Sequence, residues 1–521
     1  MGSLSYSAAV PGEVAGSTLV RLCPFVSLVA KVDEFVSGDV ATRPVPRSCD
    51  PVQKIAVDRA FAPGAIHREL LMAIRKSAAG TKQLDQVHLD AAGIDIGSEF
   101  HYVAVPPDRE DQPVRRFEAF TGDLEALADW LQRCRITTVV MESTGVYWIP
   151  LFELLETRGF EVLLVDPRRL KSVPGRKSDV VDCQWLQQLH TFGLLAGAFR
   201  PADQILVLRS YLRQRAMLVQ YAAQHIQHMQ KALHQMNVKL DKVISDITGA
   251  TGMRIIDAIL DGERDPAKLA ALRDPRCRHD AETIARALLG NWRAEHLFAL
   301  RQARTLFQAY HVQISECDRQ IEDQLATLPD QPSATPLEER PARGRRQQSQ
   351  LRFDPRRELH RVTGVDLTCI DGIDTHTALK LISEIGTDMS RWKSVKHFTS
   401  WLGLCPGVKC SGGKRFSGKT KPCANRAAAA LRLAANGLHR SETALGAFLR
   451  RMKSRLGAPK AITATAHKLA RLVYFALKHG MSYVDQGSAW YEEQFRTRTL
   501  KSLQKRALQL GFTLIPNATQ S

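Results

Sequence analysis

No two of the ten cysteines stand in a CxxC pair. A zinc ribbon needs that spacing, so none is expected. The cysteines (Cys23, Cys49, Cys134, Cys183, Cys277, Cys317, Cys369, Cys405, Cys410 and Cys423) are scattered and give no disulfide framework, which fits a reducing cytoplasm. Apolar runs of the ~18–20 residues that cross a bilayer are also missing. The start of the chain lacks a basic stretch ahead of an apolar one, so a secretory signal is not expected. These absences together predict a cytoplasmic protein without a membrane partner. Acidic residues are in deficit, 54 against 72 lysines and arginines, for a net charge of +18. Such a surplus favours a polyanionic partner, because each cation laid on a phosphate releases a condensed counterion.

What is present is enough for several cores. Of 521 residues, 44% are hydrophobic, and the length alone suggests two to four domains. Residues 1–86 are rich in Ser, Val, Ala and Pro without a sustained period, and read as a poorly ordered extension with Met72 as an alternative start. Residues 87–201 alternate strand and helix signals. AGIDIG (92–97) and HYVAV (101–105) read as a hairpin around a glycine turn, TTVVME (137–142) and FEVLLVD (160–166) as buried strands. Helices are expected over 124–131, 151–157 and 179–189. That alternation predicts a layered α/β domain. Residues 202–328 read as long helices, with apolar residues at three- and four-residue spacing over 206–240 and 281–328 and a proline-broken run between them. This middle is expected to be a helical bundle or coiled-coil arm. Residues 329–356 form a Pro-, Gln-, Ser- and Arg-rich linker. A mainly helical C-terminal domain follows over 357–489, then a basic tail over 490–521.

Three segments of the α/β domain carry carboxylates that call for an explanation. Asp95 stands between Ile94 and Ile96 in the first strand, where unpaired burial is costly. Glu142 ends a strand, the place where α/β folds put their sites. Asp179 and Asp182 are three apart on an expected helix and so share one face, an unfavourable arrangement unless a cation lies between them. Hard oxygen donors in such a set suit Mg²⁺, and metal-assisted phosphodiester cleavage needs several of them converging on one point. Taken one at a time, each could equally be a helix cap or a surface group.

A second segment, LGLCPGVKCSGGKRFSGKTK (402–421), contains GKRFSGKT (413–420), which satisfies the phosphate-loop pattern letter for letter. The context contradicts that pattern: CPGVKC upstream is not a buried strand, and Pro422 follows at once. A different reading suits the segment better. Ser411 lies beside two glycines, so a backbone can approach its hydroxyl closely. Lys409, Lys414, Arg415, Lys419 and Lys421 surround it with charge that would bind a phosphodiester and stabilise a phosphoryl transition state. Serine in that setting is a candidate covalent nucleophile, with Ser417 as the competitor. The plain alternative is a flexible basic loop that only grips phosphate. Upstream, IDGIDTHTALKLISEIG (370–386) resembles a helix–hairpin–helix element, with Gly372 in place and Asp374 where a second glycine is usual. His225, His228 and His234 read as surface groups, and Trp392 and Trp401 as core.

In combination these stretches carry a resemblance. AGIDIGSEFHYVAV, VVMESTGVYWIPLFELLETRGFEVLLVD and PGRKSDVVDCQWLQQL resemble the N-terminal domain of the insertion sequence one-one-zero transposases, related to the Piv and MooV invertases. LISEIG, SWLGLCPG and CSGGKRFSGKT resemble the C-terminal domain of the same family. The resemblance runs from about residue 87 to about 510. It implies an RNase H/RuvC-like N-terminal domain whose acidic tetrad falls on Asp95, Glu142, Asp179 and Asp182 and binds Mg²⁺. It also implies a serine, here Ser411, that links covalently to DNA. It further implies donor and target DNA as substrates, a structured element-encoded RNA as guide, and dimers that pair into tetramers. The chain departs from the family after the Gly–Lys–Thr segment, where a Lys–Gly–Asn run is usual and KPCANR (421–426) stands instead. The competing reading is a RuvC-like junction nuclease with no covalent intermediate; a third is a DNA binder that no longer cuts.

Overall fold

The computed structural model describes residues 85–167, 179–333, 336–339, 350–407, 409–412, 414–420, 422–480 and 484–515. The chain divides into two units, Met1–Gln86 and Val87–Ser521, and the expectation for the N-terminal extension lies almost wholly outside the described residues.

The second unit opens with a mixed five-stranded sheet in the order β3-β2-β1-β4-β5. Its strands are β1 (Ala91–Ile96), β2 (Phe100–Ala104), β3 (Val114–Glu118), β4 (Thr138–Glu142) and β5 (Glu161–Val165). β1 to β3 form an antiparallel meander, whereas β4 and β5 run parallel to β1. The turn between β1 and β2 closes where the Gly97 amide donates to the Phe100 carbonyl at 3.0 Å. A Cβ at Gly97 would meet that oxygen at 2.5 Å, so the turn needs glycine. Two helices, α1 (Thr121–Arg133) and α2 (Trp148–Thr157), cover one face. Leu127, Trp130, Leu131, Leu151 and Leu155 pack there on Ile94, Ile96 and Val103. The other face receives α3 (Asp179–Thr191), with Leu186 against Val140 and Val165. The alternation of β1 is therefore read literally: Ile94 and Ile96 look toward α1 and α2, while Gly93 and Asp95 look toward α3.

The middle region is built on two long helices, α4 (Asp203–Gln235) and α9 (Ala294–Thr327), packed along one another. Four short helices lie between them in sequence: α5 (Leu240–Val243), α6 (Ala250–Leu260), α7 (Pro266–Ala271) and α8 (Ala281–Ala287). Met229, Leu233, Ile255, Ile259, Leu300 and Phe307 share a core with them. The helix expected over 281–328 is thus two helices. Gly290 lies at the break, where a Cβ would stand 2.8 Å from the Met236 carbonyl oxygen. Between α4 and α9, Arg215 and Asp318 form a buried ion pair, each side chain only 3% exposed.

The C-terminal region comprises α10 (Arg356–Thr363), α11 (Thr375–Ile385), α12 (Val395–Trp401), a hairpin of β6 (Lys409–Ser411) and β7 (Lys414–Ser417), and then α13 (Arg426–Gly437), α14 (Ala444–Leu456), α15 (Ala458–His479) and α16 (Gly487–Gln509). Its core extends onto the start of α4 through Ile205 and Leu208. Trp392 and Trp401 belong to this core beside Phe199 and Phe398, as expected of them. Gly372 takes φ +83° and Asp374 caps α11 by accepting from the Thr377 amide. The residue standing where a second glycine is usual is therefore a helix cap. No helix among the described residues is long and apolar enough to cross a membrane.

Candidate active site

The register of β1 and β4 decides which acids meet. Ala91 pairs with Thr138 and Ile94 with Met141, and one further step along these parallel strands sets Asp95 beside Glu142. Partners in a parallel pair point to the same face, so both carboxylates look toward α3. That helix begins at Asp179, and its first turn carries Asp179 and Asp182. The acids thus come from three elements that end at one edge of the domain. Helix amides at this N-terminus favour negative charge, though by less than a full positive charge would.

Glycine lets the helix come close enough. A Cβ on Gly93 would lie 2.3 Å from the Gln187 nitrogen and 2.4 Å from the Cys183 carbonyl oxygen. Both are backbone atoms of α3, which no rotamer change can move. Gly93 and Asp95 share a strand face, so the residue that admits the helix is the near neighbour of the residue that uses it. On the other side of the contact, Cys183 is fully buried and donates to the Val180 carbonyl. Burial and the nearby Asp95 carboxylate push its thiol up to about 12, so it stays protonated and packs as a small apolar group.

Asp95 is raised from 3.8 to about 6, first by burial and then by the charges of Asp179, Glu142 and Asp182 in turn. The other three expected carboxylates therefore all act on Asp95. Among the described residues, no three acidic, histidine or cysteine side chains stand near enough to share an ion as placed. The donor set itself fits a divalent cation: the oxygens are hard, and the mutual repulsion is of the kind a cation relieves.

The serine is placed differently. Ser411 ends β6 and pairs with Lys414 across the hairpin, with Gly412 in the turn at φ +55°. Lys409, Lys414 and Arg415 lie on the two strands; their side chains and that of Ser411 are outside the described residues, as is Lys421 altogether. Lys419 is exposed, and its carbonyl accepts from the Gly407 amide, closing the base of the hairpin. The phosphate-loop pattern thus falls on an antiparallel hairpin, not on a strand leading into a helix, which removes the structural context that pattern needs. His225 is half-buried and stacks on Tyr310, and His234 has a carboxylate partner seven residues on, Asp241 at 2.7 Å. Sequence spacing did not reveal that partner, because it lies beyond the end of α4.

A five-stranded mixed sheet with helices on both faces, and acids at the ends of its two central parallel strands and on a packed helix, fits an RNase H-like domain. Residues 92–238 match a transposase family model, the DEDD domain of IS110-type elements, and residues 366–445 match the transposase IS116/IS110/IS902 family. The chain thus carries two domains of the IS110-type transposases, enzymes that act on DNA. No curated protein matches it.

Proposed function

We propose that this transposase cleaves and rejoins DNA strands through a serine-linked intermediate, with Asp95, Glu142, Asp179 and Asp182 holding Mg²⁺ and Ser411 attacking phosphorus. The observation that carries the reading is the register that brings Asp95 and Glu142 to the sheet face met by the first turn of α3, with Asp95 raised first by burial and then by the other three carboxylates. Bound divalent metal would supply positive charge to activate an attacking oxygen and to stabilise a leaving one. In the serine step, the Ser411 Oγ–phosphorus bond forms as the bond from phosphorus to the deoxyribose oxygen breaks. The serine proton passes to a base, and the released deoxyribose oxygen takes up a proton. A hydroxyl of the incoming strand then reverses the exchange, so no phosphodiester energy is lost to water. Lys409, Lys414, Arg415, Lys419 and Lys421 would hold the phosphate and balance charge that grows on it. The long α4–α9 pair is read as the arm that sets two subunits in register, in dimers that pair into tetramers, with a structured RNA choosing donor and target.

The test is a denaturing gel of the full chain with labelled element-end DNA, the element's flanking RNA and Mg²⁺, comparing wild type with Ser411→Ala. A protein–DNA adduct in the wild type alone is the expected result. Cut DNA with no adduct in either protein would instead establish a RuvC-like nuclease and reduce Ser411 to a phosphate contact.

A further inference from the structure

A cavity of about 340 Å³ opens far along the chain from the carboxylates, between α14, α15 and α16. Phe475, Trp490 and Tyr491 give it aromatic walls, and Lys468 and Arg471 give it charge. Trp490 is 45% exposed and Val484 at the rim 70%, so the opening is presented to solvent. The lining is mostly apolar. Lys468, Arg471 and Arg498 form no ion pair among the described residues. By contrast, Arg451 on the neighbouring helix pairs with Glu492. The Lys468 ammonium instead lies 4.0 Å over the Phe448 ring and 5.7 Å from the Tyr491 ring. Burial, and then Arg498 and Arg471, hold its pKa below the ordinary lysine range. Of the acids close by, Asp485 accepts from the Ala444 amide at 2.9 Å and Glu492 pairs with Arg451.

Flat aromatic walls beside cations that repel each other suit a ligand with a planar ring and a negative charge. The volume sits at the lower end of small-ligand pockets, too small for a helix or a duplex. Bases that stack on protein aromatics must be free of the duplex stack. We infer that this cavity binds one nucleotide of an unpaired strand, its base against Trp490 and Tyr491 and its phosphate on Lys468, Arg471 and Arg498. The site lies outside the carboxylates and Ser411, and binding alone tests it, so its failure leaves the chemistry proposed above standing and the reverse also holds.

The measurement is the affinity of the full chain, in chelator, for a short oligothymidine, a short oligouridine and a duplex of the same length. Trp490→Ala is expected to weaken single-strand binding about tenfold, the effect of losing one stacked base, with the duplex unchanged. Trp490→Phe keeps a ring and is expected to retain most of the affinity. Arg471→Gln is expected to lower the salt slope by about one. A loss with oligothymidine, oligouridine or both supports the site, and the oligomer that loses more identifies the strand it serves. Equal affinities for wild type and Trp490→Ala overturn the inference. So does an equal loss on single strand and duplex, or a change in oligomeric state with single-strand affinity intact, which would make the cavity a contact between copies.

Discussion

Two acidic regions of the molecule treat enclosed charge in opposite ways. Between α4 and α9, Asp318 is buried against Arg215 and also accepts from the Arg352 amide at 3.1 Å. At the ends of the central strands, Asp95 is raised by Glu142, Asp179 and Asp182, charges of its own sign, as well as by burial. The first group is complete within the chain. The second gathers like charge around one half-buried carboxylate, the kind of arrangement in which perturbed groups cluster at functional sites.

Breaking the satisfied pair should give the largest effect. Asp318→Asn keeps the volume but leaves the buried Arg215 guanidinium without that carboxylate, and is expected to cost about 3–5 kcal/mol of stability. Thermal and denaturant unfolding would measure it. Replacing both members by apolar residues, Arg215→Met with Asp318→Leu, is expected to recover most of the loss. If the single and double variants are equally destabilised, the pair's role is not electrostatic balance but some other feature of that contact.

The unsatisfied cluster is sensitive to position instead. Gly93→Ala puts a methyl group against the backbone of α3, so the helix must move by more than side chains can absorb. Asp179 and Asp182 move with it. A misplacement on the order of 1 Å at a catalytic site costs roughly 100-fold, and a loss of at least that size is expected in Mg²⁺-dependent cleavage. Gly122→Ala is the control, since nothing stands within 4 Å of its Cβ. Melting curves for both variants separate displacement from unfolding: activity lost in a Gly93→Ala chain that melts like Gly122→Ala confirms the positioning role. Full cleavage by Gly93→Ala would mean that α3 tolerates the shift.

The same contrast explains what was legible in the sequence. Asp95 and Glu142 could be picked out because they interrupt or end aliphatic strands, where burial without a purpose is expensive. Their meeting could not be read, because it depends on the register of β1 against β4, a long-range pairing. Gly93 was legible as a glycine but not as a contact; only the structure shows the α3 backbone over it. β3 was missed because VRRFE (114–118) is a partly exposed edge strand with no apolar alternation. The β6–β7 hairpin is not legible because its strands, KCS and KRFS, are short, have no apolar alternation and flank two glycines. Of the small helices between α4 and α9, α7 is obscured by Pro266 at its start and Pro275 beyond it, and the break before α9 by an otherwise regular helical period. In the C-terminal cavity, Lys468 and Tyr491 belong to different helices, so no spacing announces that they face one another.

The smallest effect sharpens the comparison most, because its sign is opposite to that of Asp318. Asp95 is held above its ordinary value, at about 6 instead of 3.8. The folded chain therefore keeps a proton that the unfolded chain releases. This contribution to stability is present below pH ~4 and is lost as pH rises through about 6, where the folded carboxyl is forced to ionise beside its neighbours. Asp95→Asn removes that charge. After discounting for partial exposure, the metal-free variant at pH 8 is expected to be about 1–2 kcal/mol more stable than the wild type, and no more stable at pH 4. Mn²⁺ or Mg²⁺ should raise the melting temperature of the wild type and move the variant less, while chelator restores the gap. Cleavage should vanish in the variant at every pH and fall in the wild type as pH drops below 6. An Asp95→Asn chain that is destabilised at pH 8, as Asp318→Asn is expected to be, would show that a partner already satisfies the carboxylate, and the distinction between the two acidic regions would fail.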